Sequence, residues 1–172
     1  MSTLAYPSRD FPGPPSVAVD VPEGWMPVHA PGTALAAKLP RTGGFDPNVV
    51  VSVEQCGADL TEEESLRRID ALAQSRGGVT SQPYAAELGH ARFVGCDATW
   101  PDPDVETILQ ANLFHVVRPE REGAAAWVVQ LSGSVGGPSA EQDYELIRSV
   151  LASVRVRPWA PAPVEAEGNP VA

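Results

Sequence analysis

The side chains best suited to hold another molecule are amides and hydroxyls in alternating positions. Gln110 and Asn112 are followed in the same phase by Phe114; further on come Gln130, Ser132 and Ser134. An amide donates and accepts, and a hydroxyl does both, so such a set can recognise polar groups without using charge. Apolar Ile108, Phe114 and Val128 are interleaved with them. A few polar groups among hydrophobes is the composition of a ligand-binding surface. The simpler reading is the wet side of a half-exposed antiparallel sheet. These six residues are therefore the candidate partner-binding set.

No set of residues points to a reaction. His29, His90 and His115 are far apart and have no Cys or carboxylate at metal-ligand spacing, so no metal site is expected. His115 reads as a structural histidine. Cys56 and Cys96 belong to no Cys-x-x-Cys motif. They are two buried thiols, or one disulfide if their strands are neighbours. Ser132-Gly133-Ser134 and Gly136-Gly137 lack the lysine and the spacing of a phosphate loop. Asp97, Asp102 and Asp104 form a possible cation site, but aspartates at such positions more commonly build turns. An enzyme would need titratable groups converging in a pocket, and no stretch supplies them. Neither catalytic residues nor a cofactor are expected.

The elements that must position the six residues follow from periodicity. Val105–Val117 and Ala124–Val135 alternate with period two and are joined by a polar turn, 118–123. Residues opposite one another share a face. Keeping the amides together requires paired numbers to sum to an even value, which favours Val117 opposite Gly123 or Arg118 opposite Ala124. Pro119 belongs in the turn because it has no N–H to give.

Before this pair lie strands over Ser16–Val21, Ala34–Leu39, Asn48–Cys56 and Ala91–Trp100, the last leading into a turn at Pro101–Asp104. Pro83 limits Val79–Leu88 to an edge strand or a loop. Thr61 with Glu64 forms a capping box for one helix, whose stripe is Leu66, Ile69, Leu72 and Ala73; Arg76 and Gly77-Gly78 end it. Ser139 with Gln142 opens a second helix with the stripe Tyr144, Ile147, Val150, Leu151 and Val154. Strand runs set apart from helices give an α+β fold: a central antiparallel sheet with two main helices packed on it. The proline-rich residues 1–15 read as a flexible arm without its own core, 16–157 as a single domain, and 158–172 as a disordered tail. Trp159 is expected to be exposed.

A formal net charge of −10 over 172 residues excludes a nucleic-acid partner, which needs clustered Lys and Arg. No stretch reaches the roughly 20 apolar residues of a membrane span. The first fifteen residues hold no basic-then-apolar signal pattern, so a cytoplasmic location is expected.

The run Val17-Ala-Val-Asp-Val-Pro-Glu-Gly-Trp25 resembles the opening of PsbP-like domains, in which a strand leads into a P-x-G-W turn. The element order from Phe11 to Arg157 is similar to the same group, and the actinobacterial LpqN-type proteins are the most alike. The resemblance implies a central antiparallel sheet with helices packed around it. LpqN-type members are generally exported lipoproteins implicated in partner binding at the cell envelope. This chain shows no signal and no lipobox cysteine near its start, so what carries over is the fold and a general binding role. Another branch resembling this fold serves as type VI secretion chaperones.

The sequence thus predicts a non-catalytic binding or adaptor domain that recognises a protein or small ligand through its polar sheet face, as a monomer or a homodimer. The alternative is a secretion chaperone shielding an apolar effector segment.

Overall fold

The computed structural model describes residues 6–8, 10–57, 59–119 and 125–160. The hairpin tip at 120–124, the residues at 1–5 and 9, and the tail beyond 160 lie outside the described residues. In chain order the elements are β1 (Ser16–Ala18), β2 (Met26–Pro27), β3 (Leu35–Lys38), β4 (Asn48–Cys56), α1 (Glu62–Ser75), β5 (Val79–Thr80), β6 (Tyr84–Leu88), β7 (Ala91–Asp102), β8 (Glu106–Val117), β9 (Ala126–Gly136), α2 (Ala140–Ala152) and β10 (Arg155–Arg157). An eight-stranded sheet runs β2-β3-β4-β9-β8-β7-β5, with β6 also on β7, and every pairing in it is antiparallel. The fold is the expected α+β arrangement of a central antiparallel sheet with two helices.

The β8–β9 register has the expected even parity: Gln110 faces Ser134, Asn112 faces Ser132 and Phe114 faces Gln130. The connection is wider than expected, because Val117 pairs with Trp127 and not with Gly123. Packing explains the offset. The observed register sets Ala111 opposite Gly133, so two small residues meet where α2 crosses. The tighter register would put Val129 beside Ala111 and fill that seat. A Cβ on Gly133 would lie 2.1 Å from Ile147 Cγ2, far inside van der Waals contact.

The two helices lie on opposite faces. On one, Ile147, Val150, Leu151 and Val154 pack over Val49, Val51, Phe93, Leu113, Val129, Leu131 and Val135. Burying each of the four helix-side chains contributes roughly 1.5–3 kcal/mol before entropy is subtracted. On the other, Leu60, Ile69 and Ala73 pack over Cys96, Ala98, Trp100, Phe114, Val116 and Val128.

Helix α1 starts as expected. The Thr61 hydroxyl accepts the Glu64 N–H at 3.3 Å, and three glutamates occupy the first turn, where the helix dipole favours them. Its buried stripe is rotated from the expected one, to Ser65, Ile69 and Ala73, and Leu72 is 39% exposed. Spacing of four places smaller side chains downward and lets the helix sit close to β7. The chain then leaves through Gly77 at φ +73°. Helix α2 starts differently from the expected capping box. Ser139 stands at the N-cap with ψ 5°, outside the extended region from which a hydroxyl reaches back to the helix N–H groups, and makes no side-chain cap. Instead Asp143 is buried in the first turn and pairs with Arg41 from the β3–β4 loop.

Three further features add to or narrow the sequence reading. β1 pairs with β10, a strand the sequence did not announce, and the Arg155 guanidinium donates twice to Asp20. Arg155 thereby lowers the Asp20 pKa below its ordinary value. The proline-rich arm is docked: Gly13 and Pro15 are buried, and Trp159 is half-buried because its indole lies over Gly13, where a Cβ would come within 2.8 Å. The ambiguous 79–88 stretch forms two short strands on the outer side of β7.

A polar clasp fastens that outer edge. The Tyr84 hydroxyl donates to Asp97 Oδ1 at 2.9 Å, and Tyr144 of α2 shares the same carboxylate. Burial first, and then Asp97, push both phenols well above their ordinary value near 10. A folded-state pKa raised in this way stabilises the protein while the phenols stay protonated. That stability is lost as pH rises past about 10, where the unfolded chain releases protons that the folded chain retains.

Two measurements follow. Urea unfolding of Gly133→Val should show a loss of about 1–3 kcal/mol, the usual cost of overpacking a core. Tyr84→Phe should lose about 1 kcal/mol near pH 8 yet show a shallower decline of the urea midpoint between pH 10 and 11 than the parent. An equal decline would mean that Tyr84 does not carry the alkaline sensitivity.

Candidate functional site

All six candidate residues lie on the α1 side of the sheet, in the order the register dictates. They are hydrogen-bonded to one another. Gln130 Nε2 donates to Ser132 Oγ at 3.2 Å, Ser132 Oγ donates to Asn112 Oδ1 at 3.2 Å, and Asn112 Nδ2 donates to the Gln110 carbonyl at 3.3 Å. Gln110 Nε2 donates to Ser134 Oγ at 2.9 Å. No histidine or carboxylate joins this row among the described residues.

Accessibility divides the set. Asn112 is 0% exposed, Phe114 3% and Ser134 8%, so these three are walled in and touch no visitor. For Phe114 the reason is α1, which packs over β7 and β8 and makes it part of a core. A buried amide must then be satisfied internally, because an orphaned one costs about 1–3 kcal/mol. Gln110, Gln130 and Ser132 are half-buried and keep solvent-facing atoms.

The sequence reading missed what lies beyond β9. The β4–β9 register puts Val50 beside Ser132 and Ser52 beside Gln130, both half-buried. Outward from β4, Ala36 and Lys38 follow on β3, and Met26 is exposed on β2. Helix α1 contacts β5, β7 and β8, and α2 lies on the other face, so this half of the α1 side is an open strip among the described residues. Its inner border is amide and hydroxyl, and its outer border is apolar at Ala36 and Met26 with Lys38 between them. The even-numbered positions of β4 were the available signal, because alternation puts Val50 and Ser52 on the face opposite Val49 and Val51. At the outer end Lys38 Nζ meets Asp46 Oδ2 at 2.7 Å, and that bond, helped by the Arg41 N–H, holds the Asp46 pKa below its ordinary value.

The other candidates stay apart. His115 Nδ1 lies 2.9 Å from the Arg92 carbonyl, with its ring 5.2 Å from Phe93, while His29 and His90 are exposed. Asp97 belongs to the tyrosine clasp, and Asp102 Oδ1 accepts the N–H groups of Asp104 and Val105, making a turn. No group of three or more His, Cys, Asp or Glu among the described residues is arranged to hold a metal. Gly133 lies within β9, so the serine–glycine run forms no phosphate loop.

Cys56 on β4 and Cys96 on β7 are free thiols with β9 and β8 between them. Three inter-strand steps alone put them about 14 Å apart, and the register adds a six-residue offset along the strands, since Cys96 is level with Val50, so they are well beyond the reach of a disulfide. Burial raises the Cys56 pKa and pushes Cys96 up to about 11.

Among solved structures the chain is similar to LpqN involved in cell envelope biogenesis of Mycobacterium tuberculosis, with a TM-score of 0.68, 16% identity and coverage of 86% of each chain. It is also similar to the solution structure of cyanobacterial PsbP from Synechocystis sp. PCC 6803, with a TM-score of 0.53, 12% identity and coverage of 91% of this chain and 98% of that one. No family model matches the chain, and no curated protein matches it. The fold is therefore PsbP-like and close to that of LpqN, and at such identities the likeness concerns the fold alone.

The thiols give the test of this geometry. In native buffer near pH 8, Cys56 should react slowly with a thiol reagent and Cys96 only after denaturant is added. A Cys56–Cys96 disulfide in the mass spectrum would contradict the strand order.

Proposed function

We propose that the protein is a non-catalytic binding domain that receives a protein partner on the open strip beside α1. One observation carries the reading: half of the α1 side of the sheet is free of helix, and its inner border is a pre-ordered row of half-buried amide and hydroxyl groups. Gln130 and Ser52 lie side by side there. The bond from Gln130 to Ser132 fixes the glutamine rotamer in advance, which lowers the entropy lost on binding. Met26 and Val28 at the outer border are large and exposed, and supply apolar contact. The fold is like that of LpqN, a protein described as involved in cell envelope biogenesis.

The apolar border favours a second reading, a chaperone that covers an apolar stretch of its client. The two readings weight the strip differently. A photo-crosslinking residue at Ser52 should capture a discrete partner in cells, whereas one at exposed Glu141 on α2 should not. Gln130→Arg should abolish that capture with a melting temperature within a few degrees of the parent. Capture lost in Met26→Asp but retained in Gln130→Arg would favour the chaperone. Capture unchanged in both would exclude the strip.

A further inference from the structure

A second concavity lies on the far side of α1 and does not depend on the strip. It is a cleft of about 750 Å³ between α1, the β5–β6 connection and β7. Its volume falls in the range of roughly 300–1,000 Å³ usual for small-molecule sites. The apolar lining is Leu66 from α1, Val94 and Cys96 from β7, and Pro83. Two arginines line the same space, Arg67 from α1 and Arg92 from β7.

Those two arginines stand out by what they lack. Arg41, Arg68 and Arg155 pair with carboxylates. Arg76 lies over the Trp100 ring, Arg148 over Tyr144, and Arg118 donates to the Leu60 carbonyl. Among the described arginines, only Arg67, Arg92 and Arg157 have no such side-chain contact, and two of the three line one cleft. This is in a chain with formal net charge −10, where acidic partners are plentiful. Three carboxylates line the cleft as well, and each is stabilised locally without a cation. Asp70 accepts from Thr80 Oγ1 at 2.7 Å and Gln74 Nε2 at 2.8 Å. Glu62 and Glu63 occupy the first turn of α1, where the helix dipole offsets them. Among the described residues the two arginines make no hydrogen bond or ion pair through their side chains, and Leu66, Val94 and Cys96 give the cleft they line an apolar part.

We propose that this cleft binds a small amphipathic organic carboxylate, with its head group bridging Arg67 and Arg92 and its apolar body against Leu66, Val94 and Cys96. An arginine fork matches a carboxylate edge-on. The apolar floor supplies the burial that a bare inorganic anion could not exploit. Cys96 contributes as a small hydrophobe, since burial keeps its thiol protonated.

The test is titration calorimetry of the full chain with dodecanoate below its micelle concentration. Saturable one-to-one binding is expected. Arg67→Ala and Arg92→Ala, both exposed positions and each checked for native circular dichroism, should weaken it about tenfold or more. Leu66→Asp should weaken it as well, and dodecanol should bind far less well than dodecanoate. Gln130→Arg should leave it unchanged, which separates this cleft from the strip. Three results would overturn the proposal: no saturable heat, arginine variants that bind like the parent, or displacement of dodecanoate by inorganic phosphate at similar concentration, which would leave a charge patch without a role for the floor.

Discussion

Ile147 of α2 rests directly on the backbone of β9 at Gly133. No side chain separates them, and a methyl group there would sit at 2.1 Å. The helix can settle only because β8 offers Ala111 directly opposite. That seat fixes the register of the central pair, and the register decides which residues share a face. With odd positions committed to α2, the even positions of β8 and β9 are all sent to the α1 side. The amide row is thus the other side of a packing decision, as a slip of one residue would invert every side chain.

Once sent there, the even positions meet a face that α1 only partly covers. Where it does, Phe114, Val116 and Val128 close a second core with Ile69 and Ala73. At the edge of that core Asn112 has no water, and its amide takes partners from Ser132 and the Gln110 carbonyl. Four mutual hydrogen bonds follow from burial and need no ligand to explain them. The same logic ties Asp143 to Arg41. A carboxylate in the first turn of α2 is favoured by the helix dipole, yet once buried it must also have a cation, and the β3–β4 loop delivers one.

What the sequence made legible was what depends on local pattern. The strand Asn48–Cys56, the Thr61 cap, the glycine exit at Gly77 and the shared face of Gln110 and Gln130 all follow from spacing that neighbours in the chain control. The features it hid depend on contacts made at long range. Ser139 has the right type for a cap but its backbone has the wrong angle, set by the turn at Gly137. Leu72 fits the stripe, but the sheet beneath α1 selects the smaller Ser65, Ile69 and Ala73 side. Trp159 looks like a solvent-facing aromatic until Gly13 arrives from the far end of the chain. The accessible half of the polar face was hidden for the same reason. Whether an outward residue is wet depends on where a helix comes to rest, and periodicity does not say.

The likeness to LpqN and PsbP at 16% and 12% identity fits this division. A sheet order and two helix seats require only alternation of apolar residues and small side chains where a helix crosses, conditions that very different sequences meet. Residues such as Ser52, Gln130, Arg67 and Arg92 are under no such requirement. They can change without moving a strand, so the fold passes between proteins while the surface chemistry does not. Helix α1 makes this concrete. By resting on β7 and β8 it divides one sheet face into a strip bordered by amides and hydroxyls toward β4 and an apolar-floored cleft with two arginines toward β6. Each compartment takes its chemistry from residues the core does not need. The scaffold therefore explains why two concavities exist, and their side chains alone decide what each can hold.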